Sequence, residues 1–386
     1  MSRRTAPAGA RPSLVVNASV VATVSTVLPG FLVGALSVQI SADMGVSEAV
    51  YGWGLGSFFA AATIGSIMLG RLAQRIGALN QMTLALALSA AVQVSLAATA
   101  RSFAAVVGFL VVAGLANAAN QTSINLALAQ AQLRRLGLAV SIKQSGMPTA
   151  TLLAGFSVPS LALTVGWRWA YVACAVFTLA SLAMVRSAVG SSPPAAAAGA
   201  STPESPSRDL AWAAVVGAFL AFGAGSLIAW GVGSGVDAGL GEGMAGLFLS
   251  VGAATGITLR VVGGWMSDTM RVKPFRVGGI SALLGAVGMA ALALRSPGTH
   301  VAAMLLAFGA GWIWPVFTNY GIVRANPRAA GAATGVTQMG VYVGVFVAPL
   351  VTGWLIEHHG YPAMWLAVAV SAVIGAVVSI RIADHF

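Results

Sequence analysis

This 386-residue chain has one cysteine, two lysines, nine acidic residues and four histidines. A single cysteine, Cys174, excludes an intramolecular disulfide. Charged residues make up only 8 % of the chain, against about a quarter in an ordinary soluble domain, which excludes that class. His300, His358, His359 and His385 fall at the ends of apolar segments or in loops, and no carboxylate falls within one. An acid–base or metal constellation therefore has no cluster to build on, and neither an enzyme, a metal site nor a cofactor is expected. The net charge of +11 is not gathered into a basic domain, so nucleic acid is not an expected partner.

Apolar sequence is abundant instead. Hydrophobic residues make up 58 % of the chain and the mean hydropathy is +0.88. Stretches of about 20 apolar residues, long enough to cross a bilayer, recur throughout. They predict helical spans near 13–38, 48–69, 80–99, 103–127, 137–163 and 167–186, then 210–236, 244–266, 276–295, 300–323, 329–355 and 361–381. The first run is too long for a signal-peptide core and has a counterpart in the second half, so it reads as a retained span. Residues 187–209, rich in Ser, Pro and Ala, read as a linker between domains at 1–186 and 210–386. With the N-terminus inside, fifteen Arg and Lys fall in cytoplasmic segments and only Arg101, Arg168 and Arg295 outside. That bias predicts cytoplasmic N- and C-termini. Eighteen arginines against two lysines, with abundant Ala and Gly, suggest a GC-rich bacterial genome and hence the inner membrane.

The two halves superpose on a shift of 194 residues without a gap. Gly70 falls on Gly264, Asn125 on Asn319, Gln144 on Gln338, Gly146 on Gly340 and Gly166 on Gly360. Duplicated halves of long apolar segments are a plan of membrane transporters, whose pathway runs between the repeats.

The turn after the second span, Gly70-Arg71-Leu72-Ala73-Gln74-Arg75-Ile76-Gly77, resembles the signature loop of the major facilitator superfamily, G-x-x-x-D-[RK]-x-G-[RK]-[RK]. Its counterpart after the eighth span runs from Gly264 through Asp268 and Thr269 to Arg271 and Lys273. The first copy has Gln74 at the family's Asp position, and the second has Thr269 and Arg271 at the basic and glycine positions. The resemblance implies an all-α integral membrane fold of twelve helices in two pseudo-symmetric six-helix bundles. It also implies that spans 1, 4, 7 and 10 line a central cavity, that spans 5 and 8, and 2 and 11, meet across the interface, and that Gly70, Gln74, Arg75, Gly77, Gly264, Asp268 and Arg271 act in gating. Gly146-Met147-Pro148 partly matches the glycine–proline motif of the family's antiporters. The fourth-span motif of proton-coupled members is absent, because Leu110 stands four residues before Gly114.

Two charges lie inside apolar spans, Lys143 in the fifth and Arg260 in the eighth, each about six residues from the cytoplasmic end. Facing one another across the interface, they would be relieved by an anion between them. The competing reading is that their long side chains snorkel to the headgroups. Asn117, Gln121 and Asn125, with Asn120 beside them, form a polar stripe in the fourth span at helical spacing. Lipid excludes such a stripe, so it faces either the cavity or a neighbouring helix. Thr334, Gln338 and Tyr342 form a second stripe in the eleventh span, with Gln144 the repeat mate of Gln338. The tenth span carries Trp312, Trp314, Pro315 and Asn319, and Trp230 lies deep in the seventh. Pro315 predicts an interrupted helix.

These residues predict a monomeric transporter of a small organic anion working by alternating access. Lys143 and Arg260 would hold the anionic group, the amides its polar atoms, and Trp230, Trp312 and Trp314 its apolar part. Without an embedded carboxylate, exchange, uniport or co-movement with a substrate-bound proton is expected. Efflux of amphiphilic neutral or anionic drugs is the alternative that the aromatics support.

Overall fold

The computed structural model describes residues 12–130, 142–188, 205–269, 273–327 and 329–386. They form helices throughout. Span 1 comprises Pro12–Ala35 and Ser37–Met44; spans 2 to 4 are Glu48–Ile76, Ala78–Thr99 and Phe103–Gln130. Span 5 is described from residue 142, its main helix Gly146–Ser157 continued by a π-helical turn at Val158–Ala162, and span 6 is Trp167–Ala188. Spans 7 to 9 are Ser207–Asp237, Glu242–Thr269 and Pro274–Leu292. Span 10 is two helices, Pro297–Gly309 and Trp314–Ala325. Spans 11 and 12 share one run, Ala330–Arg381, folded back at Gly360, whose φ of 78° and ψ of 173° are not helical.

Nine helices among the described residues are long and apolar enough to cross a bilayer, and span 2, bent by 55° between Ser66 and Met68, makes ten. Dividing the last run at Gly360 and adding span 5 accounts for the twelve expected spans. Boundaries differ from the sequence reading in a few places. Span 8 continues to Thr269, and span 10 breaks at 310–313, immediately before Pro315. Of the expected linker, residues 189–204 lie outside the described set, and Ser205 is tied to the last six spans by its N–H, which donates to Asn326 Oδ1 at 2.7 Å.

The repeat is visible in the backbone. Gly45 and Gly239 both take positive φ (63° and 92°), as do Gly166 and Gly360 (102° and 78°). Each pair is 194 residues apart. These turns need left-handed backbone that a Cβ would strain, so glycine recurs where the geometry recurs.

The same spacing governs how the first six spans meet the last six. Gly34 and Ile228 are repeat mates, and they touch: a Cβ on Gly34 would lie 2.2 Å from the Ile228 carbonyl oxygen. Residues that meet their own mates lie on the pseudo-two-fold axis. On either side run two seams. In the seam of spans 2 and 11, Gly52 packs on the carbonyl of Pro349, its built Cβ 2.2 Å away. In the seam of spans 5 and 8, the repeat mates Gly246 and Gly155 pack likewise, at 2.7 Å. One turn further, Gly56 approaches the Phe346 carbonyl, and its mate Ser250 donates its hydroxyl to the carbonyl of Leu152, the mate of Phe346, at 2.8 Å. Glycine and serine permit backbone contact where lipid offers no hydrophobic drive to associate.

The end where spans 6 and 7 are joined is here termed the linker end, and the opposite end the distal end. The larger apolar core includes Phe31, Leu36, Tyr51, Leu227, Trp230 and Trp365 and draws on both halves of the chain. A smaller core of Val15, Val16, Met82, Leu86, Ile124, Leu128 and Val185 belongs to the first six spans alone. At the distal end the halves are joined further by Gln39, whose amide donates to Glu242 at 2.6 Å, and by Glu357, which accepts from the Ala49 N–H at 3.0 Å.

Candidate substrate site

Arg260 lies nine residues before the end of span 8 at Thr269, about 14 Å along the helix at 1.5 Å per residue. It is deeper than the sequence reading placed it, because span 8 runs further. Only 2 % of the residue is exposed. Its Nε and Nη2 donate to the Trp312 carbonyl at 3.1 and 2.9 Å, and Nη1 donates to the Gln144 carbonyl at 2.6 Å. The guanidinium also rests 4.9 Å from the centroid of the Trp312 ring, a cation–π contact that suits a weakly hydrated planar cation.

The break in span 10 supplies the first carbonyl. Pro315 has no N–H to continue the helix, and the Val316 N–H turns back to Ile313 at 3.0 Å. The Trp312 carbonyl, which Val316 would bond in a continuous helix, is thereby left for Arg260. Gly285 of span 9 packs directly on Gly311, its built Cβ 2.1 Å from the Gly311 Cα, which holds the break in place. Span 5 supplies the second carbonyl, so Arg260 joins span 8 both to span 10 and to the other half of the chain.

No carboxylate neutralises Arg260: the ion pairs among the described residues are Arg168–Asp43, Lys273–Asp384, Arg295–Asp237 and His385–Asp209. A guanidinium has five N–H donors, and three are used here. Lys143 stands one residue from Gln144, half-buried, with no hydrogen bond or ion pair among the described residues. The structure thus sets the Arg260 head group against the backbone next to Lys143.

The other expected residues are distributed unevenly. The Gln144 and Trp312 contacts run through backbone carbonyls, which no side-chain pattern reveals. Gln338 and Tyr342 are half-buried in span 11. Asn319 is half-buried in span 10, and Trp314 is buried, with no partner for its Nε1 among the described residues.

The fourth-span stripe turns onto span 1. Asn120 donates to the Ala22 carbonyl at 2.9 Å and to Thr26 Oγ1 at 3.0 Å. Asn117 Oδ1 accepts from Thr26 at 3.1 Å and from Gln121 at 3.5 Å. Asn117, Asn120 and Gln121 are all buried, while Asn125 is exposed. Asn117 Nδ2, Asn120 Oδ1 and Thr23 Oγ1 have no partner among the described residues. Trp230 is not near Arg260 in its contacts. Its Nε1 donates to Thr352 at 2.8 Å and its ring meets Tyr51 at 6.1 Å, both at the distal closure.

Among the expected gating residues, Gly77 takes φ 86° and its N–H closes span 2 on the Ala73 carbonyl. Gly70 is half-buried, Gln74 and Arg75 are exposed, and Gly264 is buried within span 8. The Asp268 side chain and Arg271 lie outside the described residues. Sequence reasoning missed Thr26, which links the fourth-span amides.

Twelve apolar spans, paired by repeat-related contacts and holding a buried unpaired cation between the halves, are the architecture of a membrane transporter. A family model for the Major Facilitator Superfamily matches residues 18–349, and the chain belongs to that superfamily. It is 29 % identical over 348 residues, 83 % of this chain and 84 % of the other, to a Mycobacterium tuberculosis protein named "Probable nitrate/nitrite transporter NarK2". Its fold is similar to that of a bacterial homologue of the human lysosomal transporter Spinster, solved in inward-facing occupied and unoccupied conformations. The occupied structure matches with a TM-score of 0.79 at 16 % identity over 98 % of both chains, and the unoccupied one with 0.78 at 16 % over 97 % of both.

Proposed function

We propose that the chain moves a small organic anion across the bacterial inner membrane by alternating access, with both termini in the cytoplasm. Arg260 carries this reading: a buried guanidinium between the halves, without an acid and with two N–H donors left after its three backbone bonds. A buried cation of this kind is costly unless its charge is used, and an anion at Arg260, aided by Lys143, uses it. The name of the mycobacterial relative supports an anionic solute.

The hydrogen bonds, ring pairs and glycine contacts that join the halves among the described residues lie at the Arg260 level or on its distal side. With the linker end cytoplasmic, as the fifteen-to-three distribution of basic residues supports, this is a conformation closed to the outside. Residues 1–186 and 210–386 act as the two rocking bundles, and Gly70, Gln74, Arg75, Gly77, Gly264, Asp268 and Arg271 as the gate at the cytoplasmic end.

The name of the relative favours a second reading, an inorganic oxyanion as the solute. The two are separated by counterflow into proteoliposomes loaded with nitrate, nitrite, acetate, pyruvate or butanoate. The proposal expects exchange of a carboxylate that Arg260→Ala removes. Exchange of nitrate or nitrite alone would replace organic by inorganic anion, and anion exchange unaffected by Arg260→Ala would overturn the site.

A further inference from the structure

The Gly146-Met147-Pro148 run of span 5 follows directly on Lys143, Gln144 and Ser145 and has no role in the site as described. In a helix the Gln144 carbonyl would take the N–H four residues on. That residue is Pro148, which has none. The next N–H, of Thr149, goes to the Ser145 carbonyl at 3.0 Å. Pro148 thus leaves the Gln144 carbonyl open, and Arg260 Nη1 donates to it at 2.6 Å. Gly146 settles span 5 against its own half, since a built Cβ would fall 2.8 Å from Thr23 Cγ2 of span 1. The carbonyl is carried by the first half of the chain and the guanidinium by the second.

The two carbonyls at Arg260 are not held alike. Trp312, of the same half, accepts from both Nε and Nη2 and has its ring against the guanidinium. Gln144, of the other half, accepts from Nη1 alone. An oxyanion is held best by two parallel N–H groups. With Nε and Nη2 turned to Trp312, the fork left for it runs from Nη2 to Nη1. At Nη1 it meets the Gln144 oxygen, whose partial negative charge repels it, and the neutral carbonyl is the weaker acceptor of the two. The opposite seam has neither part of this arrangement. The repeat mate of Pro148 is Tyr342, which has an N–H and lies within one helical run. The mate of Arg260 is Ser66, whose hydroxyl donates to the Ala62 carbonyl of its own helix.

We infer that Pro148 makes the Gln144 carbonyl a stand-in for the solute, occupying Arg260 while the site is empty and giving way to the anion. The bond that gives way joins the halves. The empty carrier is therefore held in this conformation and the loaded one is free to rock, so anions cross by exchange in preference to net flow. Pro148 is a positioning residue, acting through the carbonyl it leaves open. The inference rests on the anion-transport reading and adds the step that ties loading to movement.

Efflux from proteoliposomes holding the full chain tests it. Vesicles are loaded in turn with nitrate, nitrite, acetate, pyruvate or butanoate, and efflux is followed with and without the same anion outside, valinomycin and potassium carrying the compensating charge. Exchange is expected to outrun net efflux by ~10-fold or more, the factor that one charged hydrogen bond is worth. Pro148→Ala supplies the missing N–H and lets span 5 claim its own carbonyl. It is expected to raise net efflux toward the exchange rate while exchange persists. A second readout leaves Pro148 in place and decides the matter should that variant lose both rates. Ser37 is buried at the distal end, facing Gly233 of span 7, and its hydroxyl has no partner among the described residues, so Ser37→Cys is a mild probe. Its labelling is expected to quicken several-fold when the anion is added, and in Pro148→Ala to be fast without it. Net efflux as fast as exchange in the unsubstituted chain, an exchange preference that survives Pro148→Ala, or labelling indifferent to the anion overturns the inference. Arg260-dependent anion transport that persists in any of these cases leaves the anion reading standing. If no anion crosses, both readings fall.

Discussion

The two seams of this transporter are built on one plan and part most sharply at the level of Arg260. Along both, small residues of one helix sit on carbonyl oxygens of the other at positions 194 residues apart. One seam holds a buried cation on the backbone carbonyls of Gln144 and Trp312; at the mate position the other holds Ser66, whose hydroxyl donates to the Ala62 carbonyl of its own helix at 2.6 Å. The repeated steps are packing contacts, alike on both sides of the pseudo-two-fold axis. At the divergent step a charged residue stands on one side and a neutral one on the other.

The sharpest test of this comparison moves the charge. Arg260→Ala is expected to lower anion affinity by about two orders of magnitude or more, since charged hydrogen bonds are lost and two buried carbonyls are left unpaired. The double variant Ser66→Arg with Arg260→Ser carries the cation to the mate position, and is expected to recover part of that affinity, both measured by calorimetric titration of the purified chain with the exchanged anion. Recovery no better than Arg260→Ala alone would show that the seams are not interchangeable at this level.

Glycine packing comes next in size. Alanine at Gly52 or Gly246 puts a methyl 2.2 or 2.7 Å from a facing carbonyl oxygen, and at Gly34 2.2 Å from the carbonyl of its own mate. Each is expected to weaken distal closure by about 1–3 kcal/mol, the usual range for overpacking. Since Cys174 is buried and free, cysteines introduced at the distal end report the change as faster labelling. If the seams are equivalent, Gly52→Ala and Gly246→Ala accelerate labelling together.

The distal carboxylates should have smaller effects. Glu242→Gln keeps a hydrogen bond to Gln39 but loses its charge assistance, with labelling expected to rise by about two- to fivefold. Glu357→Gln removes a negative charge from the start of span 2, a weaker contact at an exposed position. Anion affinity is expected to stay unchanged in both, and a loss of binding in either would move the site toward the distal end.

Smallest is the exposed pair Lys273–Asp384 at the linker end. The hydrogen bond from Lys273, reinforced by its charge, holds the Asp384 carboxyl below the usual carboxylate range. Its pKa is lower folded than unfolded, so its stabilisation is present above the ordinary carboxylate value and is lost as pH falls through the lowered one. Asp384→Asn is expected to remove that part of the acid dependence of melting with little change at neutral pH, as befits an exposed ion pair.

Much of this molecule follows from periodicity and composition. Apolar run length sets the spans, because unsatisfied backbone cannot sit in lipid and helices alone satisfy it within one segment. The 194-residue repeat is legible as matched residues such as Gly166 and Gly360, which the structure shows at turns of positive φ. The break before Pro315 follows from a missing N–H. Arg260 stood out because a charge in an apolar run must be used or hidden.

Which group answers Arg260 was a different matter. The two carbonyls that do so belong to Gln144 and Trp312, and every residue has a carbonyl, so no side chain marks them in advance. The fourth-span amides read in sequence as cavity wall, whereas in this conformation Thr26 on another span takes Asn117 and Asn120 as a helix contact. Trp230 went to the distal closure because Thr352, far away in sequence, offers its indole an acceptor. Spans, their duplication and the presence of a buried charge are set by local chemistry against a known solvent, and the sequence by itself determined them. Partners are set by what other helices bring to the same depth, and only the tertiary structure decided those.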